Sequence, residues 1–92
     1  MKRVLLIFYE LKNPGKHHEP LIQRIKTLGP WARLGGSAYL VLTVNNPAQV
    51  RDYLRLVIDR SDAIYVGLSP APSAWHGMPN DVGQWIRNNQ KA

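Results

Sequence analysis

Glu10 is the acidic residue of the sequence that is best placed to take part in chemistry. It follows six consecutive apolar residues, Val4–Tyr9, and precedes a loop that carries Lys12 and Lys16. A carboxylate at the end of a buried strand suits hard divalent cations, and Mg²⁺ often takes only one or two ligands from the protein. The position therefore predicts a metal ligand or general base. The alternative is a solvated strand end that pairs with Lys12 or Arg33.

Basic side chains form the second set of candidates, because the chain carries a net charge of +6 and has a sequence pI of about 10.1. That charge on a small chain favours anionic partners such as nucleic acid. A helix that begins at Pro20 adds free N–H groups to an anion site. The candidates for phosphate contacts are Lys12, Lys16, His17, Arg33, Arg51 and Arg55. The alternative is a basic surface without a specific partner, since the basic residues are scattered along the chain.

Several other kinds of chemistry are excluded or disfavoured by the residue types. The chain has no cysteine, which excludes a thiolate nucleophile, a disulfide scaffold and a cysteine zinc site. The run His17-His18-Glu19 contains metal-ligating types, but adjacent side chains diverge and match no known zinc-site spacing. Neither Ser69 nor Ser73 lies in a nucleophile elbow that would pair with His76. The apolar runs are too short for a membrane span or a signal peptide, so we expect a cytoplasmic protein.

Three tryptophans, Trp31, Trp75 and Trp85, offer aromatic rings that can stack on bases. The alternative at these positions is packing in the core or in an interface. Both roles remain open from the sequence alone.

The elements that position these residues follow from the spacing of apolar side chains. Val4–Tyr9 and Ala38–Val44 are apolar on both faces, which is typical of central strands covered on both sides. Proline and glycine mark the ends of the elements, and Asn46 and Pro47 are predicted to start the second helix. The predicted strands cover 4–9, 31–34, 38–44 and 63–68, and the predicted helices begin at Pro20, Pro47 and Pro79.

The order β-α-β-β-α-β predicts a single ferredoxin-like α+β domain over residues 1–92, with a four-stranded antiparallel sheet, a C-terminal loop and a short final helix. The first and third strands are then the central pair, and the two crossover helices cover one face. The other face of these strands must also be buried. Trp75, Trp85 and Ile86 can cover part of it, and a second copy of the chain can cover the rest. We therefore expect a homodimer; the alternative is that the tail is sufficient.

The run Leu6–Lys16 reads as an apolar strand that leads through Tyr9-Glu10-Leu11 into an Asn13-Pro14-Gly15 turn. It resembles the strand-one signature of the small bacterial and phage proteins catalogued as SinR-like, in which Tyr-Asp-Leu and a Lys/Asn-Pro-Gly turn follow an apolar strand. Further segments that resemble this group are Ile25–Trp31, Ala38–Val41, Gln49–Leu54, Trp75–Gly77 and Trp85–Asn89.

The resemblance implies a fold similar to that of the small CRISPR-associated subunit that partners the spacer integrase, and to that of VapD-type toxins. That wider family forms homodimers. Some members are metal-dependent nucleases with an aspartate ligand at the end of strand one, and others bind nucleic acid or scaffold an assembly. The aspartate position falls on Glu10, whose extra methylene moves the carboxylate. The SinR-like group itself has no firmly assigned activity.

These patterns favour nucleic-acid binding by a small basic dimer, with DNA and RNA both open and with no cofactor. The first alternative is a Mg²⁺-dependent phosphodiesterase, an endoribonuclease or DNase, in which Glu10 is the metal ligand and catalytic residue. The second is a non-enzymatic, antitoxin-like dimer that binds another protein.

Overall fold

The computed structural model describes residues 1–12 and 18–91 of the 92-residue chain. The elements are β1 (Arg3–Glu10), α1 (Glu19–Lys26), β2 (Trp31–Gly35), β3 (Ala38–Thr43), α2 (Pro47–Arg55), β4 (Ala63–Leu68) and α3 (Asn80–Asn89). This is the predicted β-α-β-β-α-β order with a helix after it. None of the described helices combines the length and the apolar character that crossing a membrane requires.

The four strands form one antiparallel sheet in the order β2-β3-β1-β4. The predicted ferredoxin-like α+β fold, with β1 and β3 as the central pair, is therefore confirmed. Ile7 of β1 lies opposite Tyr39 of β3 on one side and opposite Val66 of β4 on the other. The two edges of the sheet are β2 and β4, so residues on these strands are separated by the whole width of the central pair.

The start of α2 is fixed by its sequence, as expected. The Asn46 side chain accepts a hydrogen bond from the Gln49 amide, and the Gln49 side chain accepts one from the Asn46 amide, each at 2.8 Å. This reciprocal capping box satisfies two backbone donors, and Pro47 fits the first turn because it has no N–H to leave unpaired. The helix ends at Arg55, although the apolar spacing continues through Val57 and Ile58.

The connection between α1 and β2 depends on Gly29. Its φ is 151°, and a Cβ at this position would lie 2.1 Å from the backbone carbonyl oxygen of Leu42. The next residue, Pro30, accepts a hydrogen bond of 2.8 Å from the Leu42 amide. Glycine is required here because the chain passes directly against β3 before it enters β2.

The core lies between the sheet and the two crossover helices. Leu5, Ile7 and Tyr9 of β1 point toward the helices and are fully buried. The partners that complete this cluster are Tyr39 and Val41 of β3, Leu21 and Ile25 of α1, and Val50 and Leu54 of α2. Full burial of an aliphatic or aromatic side chain stabilises a fold by about 1.5–3 kcal/mol, so this face contributes most of the driving force.

The opposite face of the sheet is covered only in part. Val82 and Ile86 of α3 pack on Val4, Ala32 and Leu40, and the half-buried Trp75 and Trp85 border this second cluster, as predicted for the tail. The cluster lies over β2, β3 and the start of β1.

Phe8 and Tyr65, opposite each other on β1 and β4, remain 46% and 60% exposed. Within a single chain the second face of β1 is therefore left open at Phe8, in the part of this face whose cover was predicted to come from a second copy. The reason is that α3 packs toward the β2 side of this face and leaves the β4 side open. In residues 69–91 no fifth strand follows β4. The Ser69 amide, directly after β4, donates a hydrogen bond of 2.9 Å to the Val4 carbonyl.

Candidate functional site

Three arginine side chains are brought together between α2 and β4. Arg51 and Arg55 project from α2, and Arg60 lies in the connection to β4; all three line an open groove of about 740 Å³. Ile58, Ala63 and Ile64 form its apolar part, and Asp59 and Asp62 add acidic groups. We call this feature, defined by Arg51, Arg55 and Arg60, the arginine groove. It contains two of the residues predicted for phosphate contacts.

Three carboxylates, those of Asp52, Asp59 and Asp62, lie in or beside the arginine groove, but the ion pairs that its arginines form are weak. Arg51 Nε lies 3.0 Å and a guanidinium nitrogen of Arg55 3.6 Å from the same carboxylate oxygen of Asp52. All three side chains are more than half exposed, so these ion pairs contribute little free energy and exchange readily for another anion. Within the described residues, Arg60 has no ion-pair partner.

The groove continues along the outer edge of the sheet. Arg51 also lines a neighbouring hollow of about 390 Å³, together with Pro47, Ala48, Ile64, Tyr65 and Val66. Residues 64–66 of β4 therefore extend the surface that begins at Arg60. An extended ligand on this surface would run parallel to β4.

The Asp62 carboxylate connects the end of β1 to the arginine groove. Asp62 accepts a hydrogen bond from the Lys12 amide at 2.9 Å through one oxygen and from the Asp59 amide at 2.8 Å through the other. Glu10 lies opposite Ala63, a groove residue. Two further predicted residues, Glu10 and Lys12, are thus placed beside the arginine groove.

Glu10 and Lys12 form an exposed ion pair, with Lys12 Nζ 2.7 Å from a carboxylate oxygen of Glu10. This matches the predicted alternative of a strand end paired with Lys12. Among the described residues, no group of three or more histidine, aspartate or glutamate side chains is arranged to hold a metal ion. The Mg²⁺ site and the catalytic role at Glu10 stay predictions.

Arg33 lies on the other edge of the sheet. Its guanidinium donates hydrogen bonds to the carbonyls of Gly35 at 3.0 Å and Gly36 at 3.2 Å. It also lies 5.6 Å from the centre of the Tyr39 ring. Since β3 and β1 separate β2 from β4, Arg33 does not contribute to the arginine groove.

Tyr9 links this second edge to the end of β1. Its hydroxyl donates to the Gly36 carbonyl at 3.2 Å, and its ring meets the edge of the His18 ring with centroids 5.6 Å apart. Burial raises the pKa of the Tyr9 hydroxyl, proximity to Tyr39 raises that pKa further, and the positive charge of Arg33 opposes the shift. Lys16 and His17, also predicted for phosphate contacts, lie outside the described residues.

Arg60 is the groove residue that sequence reasoning missed. It belongs to no periodic stripe, because it lies in the connection between the end of α2 and the start of β4. The signal that identifies it is topological: the crossover from α2 must return to the edge strand β4, which brings this connection next to Arg55.

Comparison with known proteins finds no matching family model, no matching curated protein and no matching solved structure. The SinR-like resemblance stays a prediction.

Proposed function

We propose that the protein binds nucleic acid, with the phosphate backbone lying along the arginine groove. The observation that carries this proposal is the convergence of Arg51, Arg55 and Arg60 on one open groove. Guanidinium groups suit phosphate because their planar fork donates two parallel hydrogen bonds to it. The Asp52 pairs do not prevent this, since exposed pairs are weak. The excess positive charge of the chain increases the rate of encounter with a polyanion.

The arrangement favours backbone recognition over base readout. The groove offers arginines and a short apolar wall, and its acidic groups are held in protein contacts such as those of Asp62. Contacts of this kind carry affinity and position but no sequence information. Neutralising three phosphates predicts a slope of log K against log salt of about −2 for a single strand and about −3 for B-DNA.

The test is binding of labelled oligonucleotides to the wild type and to Arg51→Ala/Arg55→Ala/Arg60→Ala between about 50 and 200 mM salt. We expect the triple variant to bind roughly a hundredfold more weakly, from about 1 kcal/mol per lost contact, and to show a flatter salt slope. The matched control is Lys2→Ala/Arg3→Ala/Lys91→Ala, which also removes three positive charges, all from exposed side chains outside the groove. Equal loss in both variants, or no binding by the wild type, would refute the proposal.

The same assay separates binding from cleavage when it is run with Mg²⁺ and with a chelator. We expect the wild type to shift the oligonucleotides without cutting them. We expect Glu10→Gln to bind with equal or slightly higher affinity, because it removes a negative charge beside the groove. Mg²⁺-dependent cleavage that Glu10→Gln abolishes would replace this proposal with the phosphodiesterase.

We propose further that the protein is a homodimer, joined through the open part of the second sheet face. We define the open aromatic patch as Phe8 and Tyr65, which lie opposite each other on β1 and β4 and remain largely exposed. The Tyr65 ring lies across Gly67, where a Cβ would come within 2.7 Å of its hydroxyl, so the glycine leaves room for the ring against the sheet. A two-fold axis through such a patch buries the same aromatic pair on both subunits.

A further inference from the structure

A second surface, which carries both cationic and aromatic side chains, lies on β2, the edge of the sheet that is remote from the arginine groove. Lys26 Nζ at the end of α1 lies 4.6 Å from the centre of the Trp31 ring. The Trp31 and Tyr39 rings are 5.9 Å apart and tilted by 58°, and the Arg33 guanidinium carbon lies 5.6 Å from the Tyr39 ring. The four side chains therefore form a row in the order Lys26, Trp31, Tyr39 and Arg33. We call these four residues the cation–aromatic row.

The two cations of the row are not neutralised by the protein. Within the described residues, neither Lys26 nor Arg33 has an ion-pair partner. Arg33 donates to the Gly35 and Gly36 carbonyls, which hold its guanidinium in place but leave its charge uncompensated. Both cations therefore remain available to phosphate, and Arg33 is also pre-oriented.

The two rings of the row differ in their exposure. Tyr39 is 1% exposed and belongs to the core, whereas Trp31 is 39% exposed on an edge strand. Lys26 lies over the Trp31 ring, so a base that stacks there would displace this ammonium group toward the phosphate that follows the base. The part-exposed indole and the two cations of the row then supply the two groups that single-strand binding sites use, an aromatic platform for a base and positive charge for the backbone. Arg33 lies two residues from Trp31 along β2, about 7 Å away, so a base on Trp31 would leave its neighbouring phosphate within reach of Arg33.

Stacking on Trp31 requires a base whose face is free. In a duplex both faces of each base are covered by neighbouring pairs, so only unpaired nucleotides can use this ring. We infer that the cation–aromatic row is a subsite for one unpaired base of a single-stranded nucleic acid, with Trp31 as the stacking platform and Lys26 and Arg33 as phosphate contacts. This inference rests on the proposed nucleic-acid binding and assigns its substrate class.

The experiment compares a labelled thymine-only or uracil-only oligonucleotide with the duplex that it forms with its complement, at one salt concentration. We expect the wild type to prefer the single strand by about tenfold, the effect of one stacked base. Trp31→Leu keeps an apolar side chain against Tyr39 but removes the indole, and should lose this preference while binding the duplex as before. Trp31→Phe should retain part of the preference, and quenching of tryptophan fluorescence by the single strand should fall in both variants.

The matched control is Tyr53→Leu, because Tyr53 also carries a cation over its ring, Arg24 at 4.6 Å, but lies on α2 outside the row. It should leave the preference intact. If Trp31→Leu unfolds, Lys26→Gln performs the same test: it should weaken single-strand binding and reduce the salt slope by about 0.7.

The subsite would be overturned, and the groove proposal would stand, if Trp31→Leu bound the single strand as tightly as the wild type. If Trp31→Leu unfolds, the same result in Lys26→Gln would overturn the subsite. A wild type that binds the duplex more tightly than the single strand would also overturn the subsite and leave the groove proposal standing. A wild type that binds neither probe would overturn both.

Discussion

The Tyr9 hydroxyl donates a hydrogen bond of 3.2 Å to the backbone carbonyl of Gly36, 27 residues away in the sequence. The bond fastens the end of β1 to the turn between β2 and β3. The same carbonyl accepts a bond from Arg33, so one acceptor orients both a core tyrosine and a residue of the cation–aromatic row.

This relationship predicts an alkaline limit to stability. Burial and the proximity of Tyr39 hold the pKa of Tyr9 above its ordinary value of 10.0, against the smaller effect of Arg33. Below pH 10 the hydroxyl is protonated in both states, and its contribution to stability is fully present. As the pH rises above about 10, the unfolded chain loses this proton first, so the free energy of unfolding falls until the pH passes the pKa of the folded state.

We expect Tyr9→Phe to reduce this alkaline loss and to cost about 1 kcal/mol at neutral pH, where only the hydrogen bond is lost. Urea unfolding measured from about pH 8 to about pH 11 tests both effects. The control is Tyr53→Phe, which changes an exposed tyrosine on α2 outside the open aromatic patch. An alkaline slope that is the same in Tyr9→Phe and in the wild type would contradict the assignment.

Gly29→Ala should be among the most destabilising single substitutions in the chain. The new Cβ would meet the Leu42 carbonyl oxygen at 2.1 Å, and the φ of 151° is unfavourable for alanine. We expect a loss of about 3 kcal/mol or more in the free energy of unfolding. Gly35→Ala is the matched control, because a Cβ there meets no described atom within 4 Å and should change stability by less than about 0.5 kcal/mol. Similar values for the two variants would show that the chain does not pass against β3 in this way.

Phe8→Glu and Tyr65→Glu should each convert a dimer into a monomer, because each places a charge in the centre of the open aromatic patch. Sedimentation equilibrium of the two variants and of the wild type measures the change in mass. Leu56→Glu serves as the control, since Leu56 is 74% exposed and lies outside the patch. A monomeric wild type at all accessible concentrations, or a dimer that survives both substitutions, would refute this interface.

Most of the fold follows from local signals in the sequence. The doubly apolar runs identify β1 and β3 as the central strands, and Asn46 with Pro47 fixes the start of α2 within one residue. The end of α2 was not predicted, because Val57 and Ile58 keep the helical spacing yet pack against the core after the helix has ended. Residues that follow a helix can retain its pattern when the chain turns back over the same core.

The residue types of the candidate site could be predicted from the sequence, but which of these residues lie together could not. Residue types identified Arg51, Arg55, Lys12 and Arg33, and only the strand order separates Arg33 from the others. The exposure of Phe8 likewise could not be predicted from the sequence. Alternation along β1 gives the face on which its ring lies, whereas its exposure depends on where α3 docks, which no spacing within β1 encodes.

The Asp62 carboxylate holds the amides of Lys12 and Asp59 at the same time, one on each oxygen. The backbone that leaves β1 and the backbone that approaches β4 are therefore coupled mechanically, although 50 residues of sequence separate Lys12 from Asp62. Their amides should exchange with solvent as one cooperative unit. If the arginine groove binds a ligand as proposed, this coupling predicts slower amide exchange at Lys12 as well as at Asp59, although Lys12 need not contact the ligand.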